Sequence, residues 1–420
     1  MKRLSESTDR IFYGWVVIGA LFLILAMVLG TRISYGVFFK SLAGEFQLTR
    51  LETSAFFSTY MLISCIFAFF GGAALDRYGP RRVIFLMGLF VGASLLLSAM
   101  AGAPWHLFFS YSLLLAMGTG AGFTIVATTT SRWFVRRRGL AMGIASSGEG
   151  LGIGIMAPAA MVCITAFGWR TALVIMGVSA ILVMCSMSLF LKKDPAEMGL
   201  APDGEKIHPV QKDFSGQGLS PAPESLTLGM AFRTRSFWCF FIIYFFLSFC
   251  FHLVTTHIVP HATDLGISRE KAALILTLIG TISSLGRLTF GGLSDRIGRK
   301  LSVVLCALLQ CAMLLFVAWS RELWLFYIFA IFYGFGFGGV STVTTALIGD
   351  TFGATNLGAI TGAAVVGYTL GAAAGPLLGG HVYDLTNDYF IAFLIGAAAI
   401  LGAILFVLLI KKEGTTLQRA

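Results

Sequence analysis

Three ionisable residues stand inside stretches of sequence that are otherwise apolar: Arg32, Glu149 and Arg287. An ionised side chain at the centre of a bilayer costs about 3 kcal/mol or more, so such a residue is expected to face a charged partner or a water-filled cavity. A guanidinium stays protonated, and its planar fork of N–H donors matches a carboxylate. Arg287 therefore predicts a carboxylate-binding site, with a structurally paired or snorkelling arginine as the alternative.

The depths of these residues suggest how they could work together. Arg287 precedes Asp295 by eight residues, or about 12 Å, and Glu149 follows Gly139 by ten, or about 15 Å, so the two lie at similar depths. We expect a substrate carboxylate to compete with Glu149 for Arg287, so that Glu149 takes up a proton when the anion binds. The alternative is a Glu149 that is protonated or locked in an ion pair.

Arg32 lies about 12 Å from the far end of the first predicted span, which ends near residue 39. It would capture anions that enter from that side, or else snorkel to the interface. Hydroxyl and imidazole groups on other spans could orient a small acid, although each alone could equally be a packing residue. These further candidates are Tyr35, Thr124, Thr128, His252, His257, Tyr333 and Tyr368.

The elements that carry these residues are predicted to be membrane helices. With 57% hydrophobic and 12% charged residues, the chain has too little polar surface for a soluble globule of 420 residues. Apolar segments of roughly 20 or more residues, enough to cross about 30 Å of hydrocarbon, recur twelve times. The predicted spans are residues 12–39, 52–75, 83–103, 106–131, 139–165, 169–191, 236–262, 270–293, 301–319, 323–347, 357–381 and 388–410.

The basic residues predict the orientation of these helices. Of the 30 lysines and arginines, 22 fall in segments on the side that holds both termini, and six fall on the other side. This bias predicts that both termini are cytoplasmic, in a multi-pass protein of the plasma (inner) membrane. It also accounts for the net charge of +10 without a nucleic-acid partner. We expect the lipid bilayer to be the main partner, and the protein to function as a monomer.

The sequence repeats itself at one constant offset, the one that separates Gly72 from Gly291. "GAALDRYGPRR" from Gly72 returns as "GGLSDRIGRK" from Gly291, and "AGEFQLTR" at 43–50 returns as "ATDLGISR" at 262–269. A repeat of six helices keeps the two halves parallel and predicts a pseudo-two-fold axis along the membrane normal. The predicted domains are a six-helix bundle at 1–191, a cytoplasmic linker rich in proline and glycine at 192–235, and a second bundle at 236–420.

The repeated loop, which contains Asp76 and Arg77 and again Asp295 and Arg296, resembles the signature loop of the major facilitator superfamily. The resemblance covers the whole chain and implies an all-α fold, in which two bundles rock about a central site. It also implies that these four loop residues support gating. Physically, such an aspartate can lie at a helix N-terminus while the basic residues contact anionic lipid.

A narrower resemblance rests on "YGWVV" at 13–17, "RWFVRRRGLAMGIASSGEGLG" at 132–152 and "GRLTFGGLSDRIG" at 286–298. These segments are similar to the monocarboxylate transporter family and its bacterial relatives, which overlap the oxalate/formate antiporters. The resemblance implies that Arg287 binds the substrate carboxylate. Two positions depart from the animal members: Ser283 replaces an aspartate involved in proton coupling, and Ile33, beside Arg32, replaces a lysine.

The sequence therefore predicts a secondary active transporter, a proton symporter of small monocarboxylates such as lactate or pyruvate. An oxalate/formate-type anion exchanger is the alternative; Ala364 replaces that group's second cation, although Arg32 could complete a dicarboxylate site. A drug efflux carrier and a transporter-like carboxylate sensor are further alternatives. The sequence contains no Walker loop, HExxH motif, zinc-type cluster or nucleophile elbow with a base, so we expect neither an enzyme nor a cofactor.

Overall fold

The computed structural model of the protein describes residues 12–134, 137–204, 228–352 and 357–411. Within these ranges all the regular elements are helices, so the predicted all-α membrane fold is confirmed. Eleven helices are long and apolar enough to cross a membrane. The one at Leu140–Ser188 is interrupted at Gly168, where φ is +82° and ψ is +162°, so it forms two spans and the described part has twelve.

A similar break at Gly79, followed by Pro80, separates the second helix from the third. The twelve helices are α1 (Tyr13–Phe46), α2 (50–78), α3 (80–99), α4 (Pro104–Trp133), α5 (138–167), α6 (169–188), α7 (Arg235–Asp264), α8 (Arg269–Ile297), α9 (Arg299–Ala318), α10 (Leu323–Phe352), α11 (Leu357–Thr386) and α12 (Phe390–Leu409). Residues 205–227 of the predicted linker lie outside the described residues, and the predicted division into domains stays a prediction.

The first span differs from its prediction. α1 continues to Phe46 rather than ending near residue 39, with a bend at Ser34 between Tyr13–Ile33 and Tyr35–Phe46. Leu42, Ala43 and Glu45 after Lys40 favour continuation of the helix, which ends where Gln47 adopts the left-handed conformation. Arg32 therefore lies about 21 Å from the end of its helix, near the middle of the span. Snorkelling to that end is correspondingly harder.

The residues with positive φ angles recur at the same offset as the sequence repeat. Positive φ angles are strained for most side chains and mark the ends of helices. Six of the positive-φ residues form three pairs, each related by the offset that separates Gly72 from Gly291: Gln47 (+51°) with Gly266 (+85°), Gly79 (+78°) with Gly298 (+94°), and Gly168 (+82°) with Asn387 (+55°). The internal repeat of the sequence is therefore a repeat of helix ends in three dimensions.

Glycines bring the first and fifth helix of each half into close contact. A Cβ built on Gly152 of α5 would overlap the carbonyl oxygen of Ala26 in α1, and a Cβ on Gly371 of α11 would overlap that of Phe245 in α7. The sequence repeat pairs Gly371 with Gly152 and Phe245 with Ala26. Only glycine allows backbones to approach so closely. These contacts therefore fix the rotation of α5 and α11 about their own axes, and with it the side chains that point away from α1 and α7.

The two halves meet through α5 against α8 and α2 against α11. We call the face with the loop between α2 and α3 the linker side, and the other face the far side. At the far side, Asp264 of α7 forms ion pairs with Lys40 at 2.5 Å and Arg50 at 3.3 Å. Asp384 of α11 accepts the backbone N–H groups of Arg50 and Leu51 at 2.8 Å. These contacts close the far side.

Towards the linker side the halves separate. A Cβ on Gly150 of α5 would lie 2.6 Å from the carbonyl oxygen of Gly280 in α8, so the two helices touch there. Gly143 lies two turns closer to the linker side on the same face of α5, yet a Cβ on it would meet no atom within 4 Å. Leu288 of α8 is 73% exposed at this level. The two halves are therefore separated towards the linker side, and we call the space between them the central cavity.

We predict that Gly152→Ala destabilises the protein by about 1–3 kcal/mol, because the added methyl group would force α1 and α5 apart. The measurement is thermal unfolding of the purified protein in detergent. Gly19→Ala is the matched control: it is also a helical position, no atom lies within 4 Å of its Cβ, and alanine is the better helix former. Equal melting temperatures for the two variants would contradict the close packing of α1 and α5.

Candidate functional site

An ion pair joins the two halves in the middle of the protein. Nη2 of Arg287 on α8 lies 2.6 Å from Oε2 of Glu149 on α5, and the two side chains are 17% and 13% exposed. The close contact between Gly150 and Gly280 explains the geometry, because it brings the adjoining turns of α5 and α8 within reach of each other. The pair is therefore half-buried and faces the cavity that opens to the linker side.

A second guanidinium lies beside this pair. Arg32 of α1 is close to the carboxylate of Glu149 and within reach of the phenol groups of Tyr60 on α2 and Tyr368 on α11. Tyr60 in turn shares a hydrogen bond of 2.8 Å with Thr119 of α4, which holds its ring in place. The centre thus combines groups from both halves: Arg32, Tyr60 and Glu149 from the first, and Arg287 and Tyr368 from the second.

The charges of this centre do not balance. Its two guanidiniums face one carboxylate, so one positive charge is left without a counter-charge when Glu149 is ionised. An uncompensated charge in a site of low dielectric is unfavourable and attracts an opposite charge. The centre therefore attracts a small anion such as a carboxylate.

Unpartnered hydrogen-bonding atoms mark the same region. The Nε atoms of Arg32 and Arg287 and the Nε2 atom of His252 are buried and have no hydrogen-bond partner. The large majority of buried polar atoms in proteins have a partner, so a group of three exceptions around one pair of arginines indicates where a polar ligand or water binds. The centre is therefore equipped to bind a small anion with several hydrogen-bond acceptors.

Comparison with known proteins agrees with this geometry. The family model described as Major Facilitator Superfamily matches residues 21–262 and 255–419. The chain belongs to this superfamily. Its similar relatives include Monocarboxylate transporter 12 of Rattus norvegicus, 25% identical over 415 residues that cover 94% of this chain and 84% of the relative. Monocarboxylate transporter 11 of Homo sapiens is 28% identical over 406 residues, covering 94% and 82%. The resemblance drawn from the sequence is confirmed.

Solved structures with the same fold include a bacterial homolog of the human lysosomal transporter Spinster in two inward-facing states. The occupied state has a TM-score of 0.71 at 13% identity, covering 94% of this chain and 95% of that one. The unoccupied state has a TM-score of 0.69 at 15% identity, covering 95% and 96%. At this identity the likeness establishes the major facilitator fold, with its pseudo-symmetric bundles, and carries no information about the substrate.

Within the superfamily fold, the sequence-predicted residues divide into three groups. Arg32, Glu149, Arg287, Tyr368 and His252 come together around the centre. The repeat relates Tyr368 to Glu149, so these two occupy corresponding positions in the two halves. Tyr333 is fully buried in the second half, where it stacks on Phe329 with ring centroids 5.0 Å apart and its hydroxyl group has no partner. Thr128 of α4 is half-buried.

Two predicted substrate-binding residues lie in packed regions away from the centre. Tyr35 donates its hydroxyl hydrogen to the carbonyl oxygen of Thr53, and its ring packs on Tyr111 inside the first half. His257 lies 2.9 Å from the carbonyl oxygen of Pro376 through Nε2 and 3.2 Å from the hydroxyl group of Tyr389 through Nδ1. Both side chains therefore hold helices together in this conformation, and their roles in binding stay predictions.

The predicted gating loops are placed in part. In the loop between α8 and α9, Arg299 forms ion pairs with Asp295 and, at 3.4 Å, with Asp350 at the end of α10. Arg296 is exposed, and the guanidinium of Arg77 lies over the ring of Tyr78 at 5.3 Å. The side chain of Asp76 lies outside the described part of the chain.

Sequence analysis missed Tyr60, which adjoins Arg32 in the centre. The signal was a tyrosine hydroxyl in the middle of an apolar span, where a polar tip needs a hydrogen-bond partner. A single tyrosine of this kind does not stand out, because Tyr35 and Tyr111 are also found in spans and pack within the first half. Only the placement of α2 beside α4 and α11, which brings Tyr60 next to Arg32, distinguishes Tyr60 from these two tyrosines.

We predict that Glu149→Gln lowers stability by about 2 kcal/mol, since it leaves Arg32 and Arg287 without a counter-charge. Saturating lactate should restore much of the melting temperature by supplying a carboxylate. The matched control is Glu45→Gln, which breaks the surface pair of Glu45 with Arg170, whose side chains are 39% and 44% exposed. That change should cost about 0–1 kcal/mol, and lactate should raise its melting temperature only as much as that of the wild type. The interpretation fails if the two variants melt alike.

Proposed function

We propose that the protein carries small monocarboxylates such as lactate or pyruvate, together with a proton, across the plasma (inner) membrane. The observation that carries the proposal is the pair of Arg287 and Glu149, which bridges the two halves beside the second guanidinium of Arg32. The names of the similar relatives support a monocarboxylate as the substrate class. The positive-inside bias supports the assignment of the linker side, with both termini, to the cytoplasm.

Binding begins at Arg287. The substrate carboxylate replaces Glu149 on the guanidinium, because both anions compete for the same planar fork of donors. The displaced Glu149 carboxylate then loses its ion pair in a half-buried site, where the protonated form is favoured. Glu149 therefore takes up one proton for each anion bound.

The charge of the centre explains why the two ions travel together. An anion and a proton add no net charge, so the loaded centre has the same charge as the empty one and the cost of moving it through the membrane is unchanged. An anion without its proton would alter this balance. Symport of an anion and a proton is therefore the electroneutral way to use these three residues.

Alternating access requires the far side to open. In the present conformation, Asp264 and Asp384 hold the far side closed while the centre is reached from the linker side. We expect the halves to rock about the centre, breaking these contacts and closing α5 on α8 at the level of Gly143. The loops with Asp76, Arg77, Asp295 and Arg296 would then support closure of the linker side.

An exchanger of organic anions is the second candidate, and Arg32 is the observation that favours it. With Glu149 protonated, two guanidiniums remain, and a dicarboxylate would balance both. Proteoliposomes with an internal pH indicator separate the candidates. Added lactate acidifies the lumen if the protein is a symporter, whereas an exchanger needs an anion on the other side. A carboxylate sensor would move neither ion.

We predict that Arg287→Lys keeps the fold but lowers lactate uptake by about tenfold or more, because an ammonium group cannot bind a carboxylate in the bidentate manner of a guanidinium. The measurement is the initial rate of uptake of labelled lactate into proteoliposomes, with reconstitution checked by the amount of protein per vesicle. Arg321→Lys, at an exposed far-side pair with Asp388, serves as the control and should transport normally. Normal uptake by Arg287→Lys would remove Arg287 from the binding step.

We predict that Glu149→Gln abolishes lactate accumulation driven by a pH gradient but retains lactate exchange, because glutamine cannot carry the proton. Exchange is measured with labelled lactate outside and unlabelled lactate inside at equal pH. Accumulation is measured with an acidic exterior and no internal lactate. Retained accumulation against the gradient would mean that another group carries the proton.

A further inference from the structure

α7 carries three buried histidines, and they differ in how their nitrogens are used. Both nitrogens of His257 have protein partners, the carbonyl oxygen of Pro376 and the hydroxyl group of Tyr389. Nε2 of His261 has none, but this ring packs on Phe326 and Phe393 near the far side. Nε2 of His252 also has none, and this residue is the one that lies at the centre. His252 therefore combines an unused hydrogen-bonding atom with a place beside the substrate.

The proton of the His252 ring can be assigned from its partners. Nδ1 lies 2.9 Å from the carbonyl oxygen of Ser248, which can only accept, and 3.2 Å from the Ser248 hydroxyl group, which can accept as well. Nδ1 therefore carries the hydrogen of the neutral ring, and Nε2 holds a lone pair. The ring is neutral here because burial disfavours its charged form and because Arg32 would repel a second positive charge. Nε2 is thus a hydrogen-bond acceptor without a donor.

The surroundings of His252 place this acceptor at the junction of the two halves. Its ring lies 5.6 Å from the ring of Tyr368 on α11 and 5.7 Å from that of Phe57 on α2. Arg32 is its charged neighbour, and Tyr368 is within reach of the same guanidinium. The imidazole is 0% exposed, so a ligand that meets Nε2 does so in a site without competing water.

We propose that the protein selects 2-hydroxy monocarboxylates, and that Nε2 of His252 accepts the hydrogen bond of the substrate hydroxyl group. This inference rests on the proposed function, since it takes the carboxylate to be held by the guanidiniums. In a 2-hydroxy acid the hydroxyl group is on the carbon next to the carboxylate, which suits an acceptor beside Arg32.

The same geometry disfavours the related acids. A 2-oxo group can only accept a hydrogen bond, so its oxygen would face the lone pair of Nε2. An unsubstituted acid offers no polar group and would leave Nε2 unpaired. A site with a buried hydrogen-bonding atom rejects ligands that cannot pair with it much more strongly than an apolar site rejects a change of size. His252 is therefore a specificity-determining residue in this proposal.

The test compares three acids of equal carbon number, lactate, pyruvate and propionate, by calorimetric titration of the purified protein. The wild type should bind lactate about tenfold or more tightly than the other two, which corresponds to about 1.4 kcal/mol. His252→Phe should bring lactate to the affinity of propionate, with propionate nearly unchanged. His252→Gln places an amide oxygen near the position of Nε2 and should keep part of the preference.

His261→Gln is the matched control, since His261 is a buried histidine of the same helix that packs near the far side, away from the centre, and it should keep the wild-type ratio of affinities. If His252→Phe does not fold, the ratio of lactate to propionate affinity in the wild type and in His252→Gln still tests the proposal. Equal affinities of the wild type for the three acids would overturn this inference alone. Binding of none of them would overturn the proposed function and this inference with it. A preference for lactate that survives in His252→Phe would show that another residue reads the hydroxyl group.

Discussion

The structure depends on one electrostatic constraint: charges in the middle of a membrane protein must be balanced within the protein or by a ligand. Arg287 and Glu149 meet this constraint across the interface of the two halves, at 2.6 Å, while Arg32 leaves one positive charge over. A pair within one half would be a structural feature. A pair between the two halves links the charge of the centre to the arrangement of the helices. In the proposed function, binding of an anion therefore changes an interaction that holds the halves together.

The scaffold around these charges is nearly symmetric, but the charges are not. Three pairs of positive-φ residues and the glycine contacts of α5 and α11 follow the repeat of the sequence. At the same offset Glu149 corresponds to Tyr368, Arg287 to Ala68 and Arg32 to Phe251. The repeat thus supplies two equivalent frames, and substitution at a few inward-facing positions produces a single site. Close glycine packing makes this possible, because it fixes the helices independently of the side chains that face the cavity.

The far side of the protein is closed by polar contacts between the two halves and by close packing. Asp264 binds Lys40 and Arg50, and Asp384 binds the first turn of α2 through two backbone N–H groups. These are partly exposed interactions, each worth little alone because water and salt screen them. The same side is also closely packed: the buried ring of Phe39 on α1 lies 5.2 Å from that of His257 on α7, and a Cβ on Gly36 would overlap the carbonyl oxygen of Thr255. Opening the far side therefore requires unpacking α1 from α7 as well as breaking ion pairs.

The sequence by itself determined the twelve spans, the two parallel halves and the three charged residues of the centre. The physical reason is that an apolar run of about 20 residues has few alternatives to a membrane helix, and a charge within one has few acceptable places. It did not determine which of the tyrosines and histidines face the cavity. Tyr60 and His252 lie at the centre, whereas Tyr35 and His257 are held by Thr53 and Pro376. Only the tertiary structure decided this, because a shift of one residue along a helix turns the side chain by about 100°. The rotation of each helix about its axis is set by the bend and length of α1 and by the packing of α2 and α11.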